Sequence, residues 1–191
     1  MEPAGALWAL DERELVECAR TDPEAFAVLY RRYVDRIHGF AYRRSGSRDV
    51  AEDVTAATFE RALRYLHGFD WRSGGFAPWL YRIASNELAT HYRREYRPRS
   101  TKAQAVFHAL QPATSDGGYD EIDRRLDEPV AEVRAAMDRL HPRYQQALSL
   151  RFLAGLSVEE AAAAMECSKP ALSVTVHRAV AALRKAMEVA T

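Results

Sequence analysis

The chain has 191 residues, 48% of them hydrophobic, and equal numbers of acidic and basic residues, so its formal net charge is zero. This length suits one domain or two small ones, and the apolar content excludes a globally disordered chain. No apolar run approaches the length of a membrane span, and the acidic start lacks the basic flank of a secretory signal, so no membrane insertion is expected.

The first half of the chain predicts helices throughout. Asp11 with Glu14 predicts the cap of a first helix, and Asp22 followed by Pro23 predicts the start of a second, which ends near Gly46. No alternating pattern typical of β-strands is present.

Two further helices are expected before residue 98. The third begins around Ser47 and runs to Leu66. Gly74 and Gly75 mark a flexible loop, and the fourth helix carries Pro78 early and stops before Pro98. Residues 1–97 are therefore predicted to form a four-helix bundle.

Residues 98–128 show no helical pattern apart from a short stretch around 102–110, and their prolines, glycines and mixed charges predict a flexible linker. Helices resume at Pro129, and another runs from Pro142 to Gly155. The predicted fold class is all-α, with a second four-helix domain over residues 129–191.

The last two helices form the most informative motif. Ser157 and Glu160 predict a capping box, and Ser168 caps the next helix. One helix clamped by another, with a small and weakly basic outer face, is typical of a helix-turn-helix, and an ordinary helical hairpin is the alternative. The candidate DNA contacts are Ser168, Lys169, Pro170, Ala171, Ser173, Val174, His177 and Arg178.

The fourth helix and the loop before it combine aromatic and basic residues. Aromatic rings stack on unpaired bases, asparagine and arginine read base edges, and arginines neutralise phosphates, so the mixture suits a melted strand. The alternative is that some of these aromatics form a core stripe. The candidates are Trp71, Arg72, Ser73, Phe76, Trp79, Arg82, Asn86, Arg93 and Arg94.

Although the net charge is zero, acidic and basic residues are concentrated in different segments of the chain. Residues 1–24 contain seven acidic and two basic residues, and residues 114–138 contain eight acidic and three basic. Residues 81–102 contain six basic and two acidic residues, and residues 139–191 contain seven basic and four acidic. Two basic islands predict two phosphate-facing surfaces, and chance clustering on solvated helices is the alternative.

Cysteine usage gives no sign of a disulfide or a metal site. Cys18 and Cys167 lie far apart, and neither belongs to a CxxC pair. This usage predicts reduced thiols in the cytoplasm and no cofactor.

The order of these predicted helical segments resembles the extracytoplasmic-function (ECF) branch of bacterial RNA polymerase sigma factors. The stretch AEDVTAATFERAL resembles their core-binding helix, and WLYRIASNELATHYRR resembles the helix that recognises the minus-ten promoter element. The segment from Asp138 to Lys185 resembles the domain that binds the minus-thirty-five element.

This resemblance implies a set of partners and roles. The first block would bind the clamp helices of the polymerase β′ subunit through Asp53, Val54 and Ala57, and the loop 70–76 would hold a flipped base. The second block would dock on the β flap and place its recognition helix in the major groove of promoter DNA. Such factors are commonly held inactive by an anti-sigma protein.

The chain departs from the family pattern at several positions. Ala56 and Ala57 replace the usual Gln-Glu of the core-binding helix, and Glu166 replaces the usual turn glycine. A left-handed backbone at Glu166 would cost of order 1 kcal/mol. Ser173 and Thr175 stand where lysine and arginine are common on the recognition helix.

The predicted function is that of a sigma factor, which directs polymerase to promoters by recognising the −10 and −35 elements and melting DNA. A helix-turn-helix regulator that acts without polymerase is the alternative. A helical enzyme is a third class, for which Glu87 and His91 are the best candidates, but an i, i+4 pair is usually a surface contact. No enzymatic activity is expected.

Overall fold

The computed structural model of the chain describes residues 7–71, 74–95 and 121–188. Every regular element in these ranges is helical, which confirms the predicted all-α class. Within the same ranges, no helix has both the length and the apolar character that crossing a bilayer requires.

The N-terminal block is a bundle of the four predicted helices. They are α1 (Glu12–Ala19), α2 (Pro23–Ser45), α3 (Arg48–Tyr65) and α4 (Phe76–Glu95), and a 3-10 turn (Leu66–Gly68) follows α3. Local chemistry sets their ends: the Asp11 carboxylate accepts from the Glu14 N–H at 2.8 Å, and Gly46 ends α2 with a φ of 72°.

The core of this block lies between α2 and α4. Phe40 of α2 is fully buried, and its ring meets that of Tyr81 of α4 edge-on with centroids 5.3 Å apart. Two turns earlier on α2, the Tyr33 hydroxyl donates to Glu12 and links α1 to α2. Burial, together with the neighbouring Glu12 carboxylate, holds the pKa of Tyr33 well above its usual value.

The C-terminal block is also helical. Its elements are α5 (Glu121–Asp138), α6 (Pro142–Leu148), a π-helical turn (Ser149–Leu153), α7 (Val158–Ala164) and α8 (Lys169–Glu188). Met137, Leu140, Leu148 and Ala179 form its own small core between α5, α6 and α8.

Two predictions about this block are wrong in detail. Helix α5 begins at Glu121 and not at Pro129, so residues 121–128 are helical and not part of an extended linker. The sequence has apolar residues at Ile122, Leu126 and Val130, a spacing of four that continues the helical pattern through the proline. The predicted single helix from Pro142 to Gly155 changes at Ser149 into a π-turn.

The two blocks pack against each other. Leu150, Leu156, Ala161 and Ala162 of the C-terminal block belong to the same buried cluster as the core of the N-terminal bundle. Helix α7 lies on α4, and the π-turn lies on α2. Sequence periodicity did not predict this packing.

Phe40→Ala tests the core of the N-terminal bundle. Removing a fully buried phenyl ring leaves a cavity between α2 and α4, so we expect a loss of about 3–5 kcal/mol in the free energy of unfolding. Urea denaturation followed by tryptophan fluorescence measures it. Tyr42→Ala on the same helix is the control, because Tyr42 is 46% exposed; an equal loss in both variants would contradict the assigned core.

Candidate nucleic-acid interface

Helix α8 presents the predicted recognition face to solvent. Ser168 begins the helix by accepting a hydrogen bond from the Ala171 N–H at 3.3 Å, while Leu172 and Ala179 are buried and anchor the helix. Ala171 is only partly exposed. The other predicted contacts are all exposed: Ser168, Lys169, Pro170, Ser173, Val174, His177 and Arg178.

One cation on this face is already paired within the chain. Lys169 Nζ lies 2.6 Å from Glu159 Oε1, and both side chains are well exposed. The hydrogen bond from Lys169 holds the pKa of Glu159 below its usual value, with a smaller contribution from a backbone hydrogen bond. Lys169 therefore contacts phosphate only in competition with Glu159, which sequence spacing alone did not reveal.

The helix-turn-helix has its predicted turn. The Ser157 side chain and the Glu160 carboxylate form the capping box of α7. Glu166, which follows α7, has a φ of 50° and is left-handed. The expected backbone cost at this non-glycine residue is therefore present.

The aromatic residues before and in α4 form a cluster beneath the helix. Phe76 is fully buried and Trp79 is 7% exposed, and both pack around Phe69. Phe76 and Trp79, which were predicted to contact DNA, have rings that fill the core in this structure and present almost no surface to a strand. Trp71 is only partly buried and packs edge-on against Phe69 at 5.6 Å.

The polar candidates of α4 face outward. Asn86, Arg93 and Arg94 are exposed, and Arg93 Nε donates to the Ala89 carbonyl of its own helix at 3.2 Å. Arg82 differs, because its guanidinium pairs with the Glu166 carboxylate of the other block. Arg72 and Ser73 lie outside the described residues.

The predicted polymerase contacts on α3 divide into two groups. Asp53 is exposed and Ala57 is partly exposed, but Val54 is 3% exposed and packs into the bundle core, where it has little surface for a partner. Sequence analysis missed Leu63, which is 53% exposed on α3. Its spacing from Asp53 gave no signal, because ten residues of helix leave the two side chains about 80° apart around the axis.

Of the candidate catalytic pair Glu87 and His91, the glutamate has a structural role. Glu87 Oε1 lies 2.6 Å from Arg61 Nε, and the Glu87 side chain is 11% exposed. This ion pair joins α3 to α4. The Glu87 carboxylate is therefore used within the bundle.

Together, the two blocks form an all-helical protein with two separate candidate contact surfaces for nucleic acid. One is the exposed face of a helix-turn-helix, and the other is the outer face of α4, with Asn86, Arg93 and Arg94. The family description "Sigma-70 region 2" matches residues 29–97, and "Sigma-70, region 4" matches residues 131–183.

Individual relatives give the same result. The ECF RNA polymerase sigma factor BldN of Streptomyces coelicolor is 33% identical over 90% of this chain and 64% of its own length. The RNA polymerase sigma-H factor of Pseudomonas aeruginosa is 33% identical over 93% of this chain and 94% of its own length. The chain belongs to the sigma-70 family of RNA polymerase sigma factors, in its ECF branch. It spans less than two thirds of BldN and 59% of SigE of Mycolicibacterium smegmatis.

Solved structures share the fold. CnrH, in complex with the cytosolic domain of CnrY, has a TM-score of 0.67 and covers 94% of this chain, which covers 99% of CnrH. The sigma factor RpoE of Bartonella quintana, in complex with the anti-sigma factor NepR, has a TM-score of 0.56 and covers 86% of this chain, which covers 97% of RpoE. Both are 24% identical, so the likeness concerns the fold alone.

Glu159→Gln tests the competition at Lys169. Removing the carboxylate frees one cation for phosphate, so we expect tighter binding to mixed-sequence duplex DNA and a salt slope steeper by about 0.9. Fluorescence anisotropy at several salt concentrations measures both. Glu188→Gln, at the far end of α8, is the matched control. A slope unchanged from that of the unmodified chain, or an equal change in the control, would contradict the competition.

Proposed function

We propose that this chain is a transcription initiation factor that binds core RNA polymerase, directs it to promoters and helps to melt the DNA. It acts by binding and not by catalysis, and its site of action is the cytoplasm. The N-terminal block, residues 1–97, contacts polymerase and the −10 element. The C-terminal block contacts the −35 element, and its first helix extends the predicted domain from residue 129 back to Glu121.

The observation that carries this proposal is the presence of two outward surfaces suited to different forms of DNA. The exposed side of α8 has small residues followed by His177 and Arg178, which suits entry into a major groove. The outer side of α4 exposes Asn86 and Arg93, and the partly buried Trp71 precedes the helix, a combination that suits an unpaired strand. A regulator that only bound duplex DNA would have no use for the second surface.

The proposed polymerase surface is the outer side of α3. Asp53 supplies a charge there, and Leu63 adds exposed apolar area about three turns further along. Ala56, in place of a usual polar residue, leaves that part of the surface without a hydrogen-bonding group. Apolar contact at Leu63 therefore has a larger share in polymerase binding.

An inhibitory protein partner also belongs to this proposal. RpoE of Bartonella quintana is described in complex with the anti-sigma factor NepR. Membership of the same family supports a partner of this kind for the present chain, in addition to core polymerase and promoter DNA.

In vitro transcription with purified core polymerase tests the proposed function. Core enzyme with the chain is expected to initiate at specific sites on genomic DNA fragments, and core enzyme alone is not. Co-sedimentation of the chain with core enzyme is the direct binding measurement. A chain that finds specific duplex sites unaided, yet neither joins core enzyme nor changes its initiation sites, would be a regulator of the alternative class.

Trp71→Ala tests the role of the loop before α4. Stacking acts only on unpaired bases, so we expect impaired promoter opening with nearly unchanged initial binding, at a cost of about 1–3 kcal/mol for one lost base stack. Permanganate reactivity at the −10 site measures opening. Trp8→Ala removes a tryptophan that is 45% exposed outside the proposed surface and is the control. Normal reactivity in the Trp71 variant would remove this residue from the site.

A further inference from the structure

We propose that a cavity between α2, α4 and α6 is a binding site for a small aromatic carboxylate. The cavity has a volume of about 230 Å³ and is partly open to solvent. Phe40 of α2, Asn86 of α4 and Arg143 of α6 are among the residues that line it. The ligand is neither DNA nor a protein, so the site goes beyond the proposed function.

The volume of the cavity limits the ligand to about one ring. A cavity of about 150 Å³ accommodates benzene, and pockets for drug-sized molecules have volumes of about 300–1,000 Å³. The volume of about 230 Å³ lies between these limits. A molecule with one aromatic ring and one small polar group fits this space, whereas a nucleotide is too large for it.

The apolar part of the lining suits an aromatic ring. Phe40 is fully buried and Leu88 is 4% exposed, and Ala89 and Pro142 also line the cavity. Tyr92 contributes a second aromatic side chain. Aromatic rings attract one another in offset and edge-on arrangements, so Phe40 and Tyr92 favour an aromatic ligand over an aliphatic one of the same size.

The polar part of the lining has one positive charge in excess. Arg44 is 4% exposed, and its charge is matched by Asp138 at 2.7 Å. Arg143 is exposed, and its guanidinium has no hydrogen bond or ion pair with any residue that the structure describes. The other described residues of the lining are uncharged. The excess charge selects a monoanion, and the planar fork of a guanidinium matches a carboxylate.

Two serines at the cavity have buried hydroxyl groups that lack partners. Ser149 is 4% exposed, and neither its Oγ nor that of Ser85 has a hydrogen-bond partner within the described ranges. An unpaired buried hydroxyl is unfavourable. Because a serine hydroxyl changes direction by rotation about χ1 alone, a carboxylate in the cavity can recruit both hydroxyls without movement of the backbone.

Internal hydrogen bonds fix the wall of the cavity on the side of α6. Arg44 donates to Gln145 Oε1 at 2.8 Å, and the Gln145 amide donates to the Leu140 carbonyl at 2.9 Å. Ser149 begins the π-turn, and turns of this kind are frequent at functional sites. A wall that is already ordered lowers the entropic cost of binding a small ligand.

Binding of the ligand has one consequence for DNA, and this step alone rests on the proposed function. Asn86 lines the cavity and is also a proposed contact of the unpaired strand. An amide that is hydrogen-bonded to the carboxylate is not available to a base. We therefore expect the ligand to weaken binding of single-stranded DNA and to leave duplex binding through α8 unchanged.

Fluorine NMR with 4-fluorobenzoate tests the site in the full chain. We expect a dissociation constant in the low millimolar range, as for other ligands of this size, and changes in the backbone amide signals of residues 85, 86, 146 and 149. The neutral analogue 4-fluorobenzamide should bind about tenfold more weakly, because it lacks the charge. No binding of 4-fluorobenzoate at tens of millimolar, or amide signal changes confined to other parts of the chain, would overturn the site.

Arg143→Gln tests the assigned ligand class. Loss of the unpaired charge should weaken 4-fluorobenzoate binding about tenfold and change 4-fluorobenzamide binding little. Arg139→Gln is the matched control, since Arg139 is exposed on the same block and does not line the cavity. Ser149→Ala should weaken binding by a smaller factor, and thermal denaturation without ligand checks that each variant is folded. Equal affinities of the Arg143 and Arg139 variants for 4-fluorobenzoate would overturn the assignment of a carboxylate.

A single-stranded DNA of mixed sequence, about 15 nucleotides long, tests the consequence for strand binding. We expect 4-fluorobenzoate to weaken its binding to the unmodified chain and to have a smaller effect on Arg143→Gln. Unchanged strand affinity at a saturating concentration of ligand would overturn the competition at Asn86. A chain that binds the ligand at these residues but binds no single-stranded DNA would contradict the proposed function and leave the ligand site standing.

Discussion

The structure depends on the burial of one face of α4. Phe76, Leu80, Ala84 and Leu88 recur every four residues and are each no more than 4% exposed, so they form a continuous stripe against α2 and α3. This stripe fixes the rotation of the helix about its axis. Every other role of α4 is confined to its remaining surface, which is why Asn86 and Arg93 face outward together. A rigid helix of this kind can hold polar groups in place without their having to be ordered on binding.

The charge distribution adds a second constraint, because one basic residue on each proposed DNA surface has an acidic partner inside the chain. Glu159 begins α7 and pairs with Lys169, and Glu166 follows α7 and pairs with Arg82. The two ends of one short helix thus neutralise one cation of each surface. A phosphate must therefore displace a carboxylate before it can contact Lys169 or Arg82.

Sequence reasoning found the features that are set by local chemistry. The caps at Asp11 and Ser157 follow from side chains that bond a backbone N–H within one turn, and such contacts can be read from spacing. It failed where the outcome depends on distant residues. For Phe76 and Trp79 it favoured DNA contacts because basic residues lie nearby, although the four-residue spacing of apolar residues from Phe76 to Leu88 marks the buried side of α4. The pairing of Arg44 with Asp138 joins residues far apart in the chain, and no local sequence pattern predicts it.

Glu166 combines an unfavourable local backbone conformation with a contact to the other block. Its left-handed backbone costs of order 1–2 kcal/mol relative to glycine. Its ion pair with Arg82 is well exposed on the glutamate side, and such pairs contribute only about 0–1 kcal/mol. The pair therefore does not offset the backbone cost, and stability alone does not explain a glutamate in this turn. Conflicts of this kind between local preference and observed residue are concentrated at functional positions. The apolar contact of α7 with α4 contributes to holding the blocks together, and Glu166 pairs with Arg82 at the edge of that contact.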